Sequence, residues 1–393
     1  MIMKKFVLAP DSFKESMTAK EVCVAMEKGI KKVFSDAEII HVPMADGGEG
    51  TVESLVDATN GHKEYLEVQG PLPEQKVKAY YGILGDEKTA VIEMAQASGL
   101  MLVEPRDRNP LTTTTYGTGE LIKAALDKEV STVIIGIGGS ATVDGGIGMA
   151  QALGVKFTDK YGINVEPTGR GLTKIDKIST ENMDKRIKNV NFIIASDVEN
   201  TLTGKNGAAA VFGPQKGATQ DEVELLDKGL SHYAEILRKD LDKDVKDIAG
   251  SGAAGGLGAG LIAFLDAKLQ SGVEVVANTV NLAEKISNAD YVFTGEGGMD
   301  FQTKYGKTPF GVAQVAKKYH KPVFAEAGYL GERIEDLYDI GISAIFGIVD
   351  KAESIEESLE KGPQNVERTT ENITRLISSI CLLYTSPSPR DTR

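Results

Sequence analysis

Five stretches of this 393-residue chain share one pattern, a short apolar run that ends in glycine, hydroxyl and carboxylate residues. Residues 6–10 lead into Asp11-Ser12-Phe13-Lys14, and residues 39–43 lead into Asp46-Gly47-Gly48-Glu49-Gly50-Thr51. Residues 133–137 precede Gly138-Gly139-Ser140-Ala141-Thr142, and residues 192–195 precede Ser196-Asp197. Residues 291–293 run into Thr294-Gly295-Glu296, with Asp300 just beyond. Glycine frees backbone N–H groups to cradle an anion, and carboxylates hold a hard cation or accept a proton. Together these residue types point to phosphoryl chemistry on a small molecule.

Asp197 follows an apolar run directly and has no basic neighbour in sequence, which suits a carboxylate that takes the proton of an attacking hydroxyl. Glu296 and Asp300 suit magnesium, which takes one or two carboxylates and completes its shell with phosphate and water. Lys14, Lys205, Lys216 and Lys307 lie in Gly-, Ser- or Thr-rich loops, where a cation can neutralise a transferred phosphoryl group. The competing reading is a turn cap for each carboxylate and a solvated surface group for each lysine. His41, His62, His232 and His320 show no metal-ligand spacing and are assigned structural roles.

Two nucleotide signatures fail. Gly306-Lys307-Thr308 ends a P-loop, but Phe301 stands at its required first glycine. Gly136-Ile137-Gly138-Gly139-Ser140-Ala141 fits a dinucleotide fingerprint, with Asp159 downstream. The next residues carry Gly145, Gly146 and Gly148, each costing about 1 kcal/mol in a helix interior, so an extended anion-binding loop fits better. The Gly-rich stretch 251–261, with Gly255 and Gly256, stays open between nucleotide contact and close helix packing.

Apolar runs of this length suit strands buried on both faces of a parallel sheet, whose ligands gather at the strands' carboxyl ends. Thr18 and Glu21 form a capping box for a helix with Val22, Cys23, Met26 and Ile30 on one face, which makes Cys23 a core residue. From about Tyr65 the texture becomes that of antiparallel strands, at 76–84 and 89–95, with a hairpin turn at Gly85-Asp86 and a second hairpin over 156–162. Parallel texture returns at 290–294, 322–327 and 342–349. The expected fold is α/β: a discontinuous Rossmann-like or flavodoxin-like parallel-sheet domain, 1–70 plus 285–380, with a second α/β (α+β) domain inserted at 71–284. The Ser/Pro-rich ending 381–393 reads as a disordered, adapter-derived tail that is not native.

A hydrophobic fraction of 41%, a charged fraction of 26% and a net charge of −13 describe an ordinary globular protein and argue against a nucleic-acid surface. No apolar run reaches the roughly 18 residues of a membrane span. The two cysteines, Cys23 and Cys381, build neither a disulfide framework nor a zinc site. A cytoplasmic protein is expected.

The ordered set of loops resembles the bacterial type-one glycerate kinase family. The resemblance is carried by Ala9-Pro10-Asp11-Ser12-Phe13-Lys14, Ala45-Asp46-Gly47-Gly48-Glu49-Gly50-Thr51, Tyr116-Gly117-Thr118-Gly119-Glu120 and Gly138-Gly139-Ser140-Ala141-Thr142 with Asp144-Gly145-Gly146. It continues through Asp197-Val198, Phe212-Gly213-Pro214-Gln215-Lys216-Gly217, Gly252-Ala253-Ala254-Gly255-Gly256, Thr294-Gly295-Glu296-Gly297 and Asp300 with Gly306-Lys307. It spans about 4–380; Ser196 replaces a frequent Cys and Thr201 a frequent Pro, and neither change removes a charge.

The resemblance implies ATP-dependent phosphorylation of D-glycerate with Mg2+ in a cleft between two α/β domains, with 2-phosphoglycerate favoured over 3-phosphoglycerate. Loop chemistry then suggests the roles. Asp197 is the base, and Lys14 neutralises the substrate carboxylate. Asp11, Ser12, Asp46, Gly47, Gly48, Glu49, Thr51, Ser140 and Thr142 hold the substrate. Gly138, Gly139, Gly255, Gly256 and Lys307 meet the nucleotide, and Glu296 and Asp300 the metal. A homodimer is compatible with the sequence. The competing functions are an NAD-dependent hydroxy-acid dehydrogenase using 136–141 and Asp159, and a non-catalytic small-anion binding protein.

Overall fold

Thr18 does cap its helix reciprocally: Glu21 N donates to Thr18 Oγ1 at 3.2 Å and Thr18 N donates to Glu21 Oε2 at 2.9 Å. The helix Ala19–Lys31 then buries Val22, Cys23, Met26 and Ile30 against Phe6 and Leu8, and Val366, Ile373 and Ile377 complete that core. Each large side chain sealed in this way contributes roughly 1.5–3 kcal/mol. The helix crosses the chain's last described helix closely, since a Cβ on Gly29 would stand 2.5 Å from the Glu367 carbonyl. Cys23 is a core residue, its thiol pushed up by burial.

The computed structural model describes residues 3–385, and it divides into two units, Met1–Ala45 with Val276–Arg393, and Asp46–Val275. The first unit opens with β1 (Lys5–Leu8) and β2 (Glu38–His41). The second holds β3 (His62–Gln69), β4 (Lys76–Ile83), β5 (Thr89–Glu93), β6 (Thr132–Gly136), β7 (Lys156–Thr158), β8 (Lys177–Ser179), β9 (Asn191–Ala195) and β10 (Lys268–Gln270). The chain then returns to the first unit with β11 (Tyr291–Met299), β12 (Val323–Leu330) and β13 (Ala344–Gly347).

In the first unit the sheet runs β13-β12-β11-β1-β2, parallel throughout. Counted within the unit, this is the 2-1-3-4-5 order of a flavodoxin-like doubly wound sheet. In the second unit the order is β10-β9-β6-β5-β4-β3, with β10, β9, β6 and β5 parallel and β4 and β3 antiparallel at one edge. The β4–β5 hairpin at Gly85-Asp86 is present, with Ile83 opposite Ala90. Thr219 and Glu222 form a second capping box, and the helix they start, Gln220–Leu241, sends Leu226, Leu230, Tyr233 and Leu237 into the core.

Two expectations change, those for the unit boundary and for the tail. The unit boundary falls at 45/46 and 275/276, not near 70 and 285. The reason is that β3 pairs along its whole length with β4, and the helix Thr51–Thr59 packs its Val52 and Val56 against Gly82 of that strand. The second hairpin is present and short: Asp159 N donates to Ile163 O at 2.9 Å, Thr158 bridges Asn164 antiparallel and Val165 N donates to Phe157 O at 3.0 Å, while β7 also takes β8 as an antiparallel partner. The tail expected from 381 begins inside a helix, Gly362–Thr385, and 386–393 lie outside the described residues.

Candidate active site

In the first unit the topological switch falls between β1 and β11, because the chain leaves β1 for β2 on one side and continues from β11 to β12 on the other. Open α/β sheets bind ligands at the carboxyl end of such a switch. Here the two loops lie side by side, with Asp11 N donating to Gly295 O at 2.8 Å. Asp11 Oδ1 accepts from Ser12 N at 2.6 Å, and Oδ2 accepts from Thr308 Oγ1 at 2.6 Å. Thr308 opens the helix Thr308–Lys318, so this carboxylate faces the positive end of a helix dipole.

Glu296 is buried at 9% exposure, with Oε1 accepting from Thr303 Oγ1 at 2.7 Å and Oε2 lying 3.3 Å from Lys307 Nζ. The same Thr303 hydroxyl accepts from Asp300 N at 3.3 Å, and the Asp300 carboxylate accepts from Gln302 N at 2.8 Å. Asp300 is therefore a cap for the turn Phe301–Lys304 as well as a neighbour of Glu296. Lys14 is exposed, and among the described residues no ion pair engages its ammonium. A paired carboxylate and ammonium at a switch point can divide between a hard cation and a phosphate.

The second unit aligns the carboxyl ends of β5, β6, β9 and β10 in one row. The 46–50 loop lies across that row. Gly47 has φ +89, and a Cβ there would stand 3.0 Å from Gly272 Cα and 3.1 Å from Ala195 O, so glycine is required. Within the loop, Gly48 N donates to Asp46 Oδ1 at 3.0 Å and Thr51 Oγ1 donates to Gly48 O at 2.7 Å. Asp197 emerges from β9 into solvent contact and accepts from the Ser271 hydroxyl and Gly272 N–H. Burial, joined by the nearby charges of Asp46 and Glu274, still raises its carboxyl above the ordinary value. A carboxylate with heightened proton affinity is a better base.

Two buried ionisable groups support these loops. Glu93, at the end of β5, is 4% exposed and accepts from Val52 N at 2.8 Å, beneath the 46–51 loop. Burial and then the Glu49 charge push its carboxyl up to about 7 against the backbone donors that hold it down. Lys216 is 2% exposed and donates to Ser140 Oγ and to Thr142 O, both at 2.7 Å. Asp144, fully buried, accepts from Thr115 N at 2.8 Å, Thr115 Oγ1 at 2.7 Å, Gly146 N at 3.1 Å and Gly148 N at 3.3 Å. Burial outweighs these donors and leaves the Asp144 carboxyl above its ordinary value.

With these loops in place the comparison with known proteins is decisive. A profile described as the glycerate kinase family matches residues 6–378. The chain belongs to the glycerate kinase family. It is 51% identical over 374 residues to the glycerate kinase of Haemophilus influenzae, covering 95% of this chain and 99% of that one. It is 50% identical over 369 residues to the glycerate 2-kinase of Escherichia coli, covering 94% of this chain and 97% of that one. A crystal structure of a Salmonella typhimurium LT2 protein described as a glycerate kinase 2 matches with a TM-score of 0.89 at 47% identity, covering 96% of this chain and 99% of that one.

For this glycerate kinase family member, the structure gathers the sequence-predicted residues into one cluster per unit. Asp11, Ser12, Glu296, Asp300 and Lys307 meet in the first; Asp46, Gly47, Gly48, Ser140 and Asp197 lie together in the second, whereas Thr142 is fully buried and meets Lys216 through its carbonyl. Gly138 and Gly139 are exposed at the end of β6, Gly139 with φ +70. Glu49 is exposed as well, whereas Thr51 is buried and spends its hydroxyl on Gly48, so it shapes the loop instead of facing outward. Gly255 and Gly256 are buried in a left-handed kink of the helix Ala253–Leu265, and a Cβ on Gly255 would stand 1.9 Å from Thr142 O. Helix packing accounts for both without a nucleotide. The dinucleotide reading fails for a related reason: no helix starts until Ile147, and Asp159 Oδ1 is spent on Tyr161 N and Ile163 N, each at 2.9 Å.

Glu93 and Thr115 escaped the sequence reading, and Asp144 entered it only as part of a motif, with no role assigned. Glu93 had a signal, an acid ending the apolar run of β5, but no glycine follows it. Among the described residues no group of three or more His, Cys, Asp or Glu side chains is arranged to hold a metal, and no helix is long and apolar enough to cross a membrane.

Proposed function

We propose that this enzyme transfers the γ-phosphoryl group of ATP to a hydroxyl of D-glycerate, yielding 2-phosphoglycerate and ADP. The observation that carries the reading is Asp197, a proton-hungry carboxylate at the sheet end where the 46–50 and 138–142 loops converge. Its setting in a chain half identical to an Escherichia coli glycerate 2-kinase supports the substrate and the position of transfer.

Asp197 takes the proton of the attacking hydroxyl as the oxygen–phosphorus bond forms. Asp46 and the exposed amides of Gly138 and Gly139 orient the substrate, and Ser140 donates to one of its anionic oxygens. Lys14, exposed and with no ion pair among the described residues, offers its ammonium to an anionic group of a ligand. In the first unit the donor set suits magnesium bound with ATP: a hard carboxylate within β11, a second carboxylate one hydroxyl away, and a lysine for phosphate. Glu296 would hold the ion, assisted by Asp300, with Lys307 turned to phosphate; the ion, when bound, neutralises charge on the phosphates. Phosphoryl transfer needs positioning and neutralisation more than covalent help, and these residues supply both.

Incubating the protein with D-glycerate, ATP and Mg2+ and reading the product by phosphorus NMR tests the proposal. A 2-phosphate signal growing with ADP is the expected result. A 3-phosphate signal would overturn the regiochemistry, and ATP left unconsumed would overturn the function.

A further inference from the structure

Lys216 closes the short turn Pro214–Lys216, and the next residue, Gly217, must be glycine because φ is +93 and a Cβ would stand 2.2 Å from the Arg108 carbonyl. That turn drives the lysine inward, behind the 138–142 loop. A lysine with so little exposure has no water to satisfy it, yet its ammonium reaches one hydroxyl and one carbonyl of that loop, both at 2.7 Å.

The direction of the first bond follows from chemistry. An ammonium has only hydrogens to give, so Ser140 Oγ must be the acceptor. The hydrogen of Ser140 itself must then point elsewhere. Among the described residues Ser140 Oγ has no second hydrogen-bond partner; Ser140 is 7% exposed, and the residues just before it in the loop, Gly138 and Gly139, are exposed. The second bond, to Thr142 O, pins the far end of the loop so that this direction is held.

We propose that Lys216 is a positioning residue that forces the Ser140 hydroxyl to act as a donor toward an anionic oxygen of the bound substrate or of the phosphoryl group in flight. This rests on reading the 138–142 loop as part of the glycerate phosphorylation site. Protonation of Lys216 is what makes the direction obligatory. Burial pulls that ammonium down to about 7, with the negative charge of Asp144 opposing. The other titratable group facing this buried cluster is Tyr233, whose hydroxyl is buried beside Asp144 and pushed up by burial. Once neutral, the Lys216 amine offers a lone pair, the Ser140 hydrogen turns inward to it, and the outward donor is lost.

The test uses the full-length enzyme with D-glycerate and Mg-ATP. The kcat and both KM values are measured from pH 6 to 9 for wild type, S140A, K216M and the double variant, with melting curves as the check on folding. S140A and K216M should each lower kcat/KM for glycerate by at least about tenfold, one lost charge-assisted bond, with little change in KM for ATP. The double variant should be no worse than the weaker single variant, because the lysine acts through the serine. The alkaline decline of wild-type kcat/KM should vanish in S140A.

Independent, multiplicative losses in the double variant would overturn the proposal. So would S140A with wild-type kcat/KM, or S140A that retains the alkaline decline. Should K216M not fold, those two S140A readouts decide alone. Wild type that releases no ADP with D-glycerate counts against the proposed function itself, a result distinct from any of these.

Discussion

Lys307 meets Glu296 at 3.3 Å with its side chain still 36% exposed, whereas Lys216 is sealed behind the 138–142 loop with a hydroxyl and a carbonyl for partners. The first unit thus keeps its charges paired near solvent, where they can exchange partners when a ligand arrives. The second unit hides its charges beneath the loops and uses them to hold glycine-rich backbone in place. Desolvation then brings Glu93 and Lys216 both to about 7, from opposite sides. A cluster built to trade ions is expected to respond to nucleotide and metal, and one built on buried supports is expected to respond to pH.

The sharpest way to break this contrast is D197N. Loss of the base should lower kcat by roughly 10²–10⁴-fold with the fold intact, and near-normal turnover would move the chemistry away from β9. Next in size is K307M, which should raise KM for ATP by about tenfold while leaving KM for glycerate nearly unchanged. Initial rates against each substrate check it, and equal rises in both would erase the division of labour between the units.

E93Q sharpens the second half of the comparison. The native protein keeps a proton on Glu93 up to about pH 7 that the unfolded chain releases near the ordinary carboxyl value of 4.5. Stability should therefore fall as pH rises across that window. E93Q removes the titration, so melting temperature between pH 5 and 8 should decline less than in wild type, by about 2–4 °C. The smallest effect is expected at Glu326, a fully buried carboxyl on β12 pushed up to about 8, whose Oε1 accepts from Thr370 at 2.7 Å. The sign is the same, so E326Q should gain about 2 °C over wild type at pH 9 with kcat and both KM values unchanged. A kinetic change there would show that buried charge matters to catalysis in the first unit too.

Much of this was written locally in the chain. The capping boxes at Thr18 and Thr219, the apolar strands and the strand-end carboxylates need only near neighbours in sequence, and each could be read directly. What could not be read depends on distant partners. The unit boundary moved because the helix Thr51–Thr59 follows β2 in sequence but packs on β4. The strand β7 pairs with β8 in addition to the residues that fold back on it, since alternation shows that a strand exists and not every strand it joins. Lys216 looked like any loop lysine, because its burial comes from a turn closed against Arg108, far away in the chain. Glu93 was hidden for the converse reason: a carboxylate at the end of an apolar run reads as the strand's exit into water, and only the helix above it keeps water out.

The left-handed break at Ala254, Gly255 and Gly256 acts as a mechanical stop behind the loop that Lys216 grips. With the Thr142 carbonyl only 1.9 Å from where a methyl on Gly255 would sit, that wall has no give. Evolutionary or engineered tuning of the loop must therefore come from its open side, where a methyl on Gly138 would find its nearest neighbour, Gly48 Cα, at 3.5 Å. The loop can be reshaped at its rim, but not from beneath it.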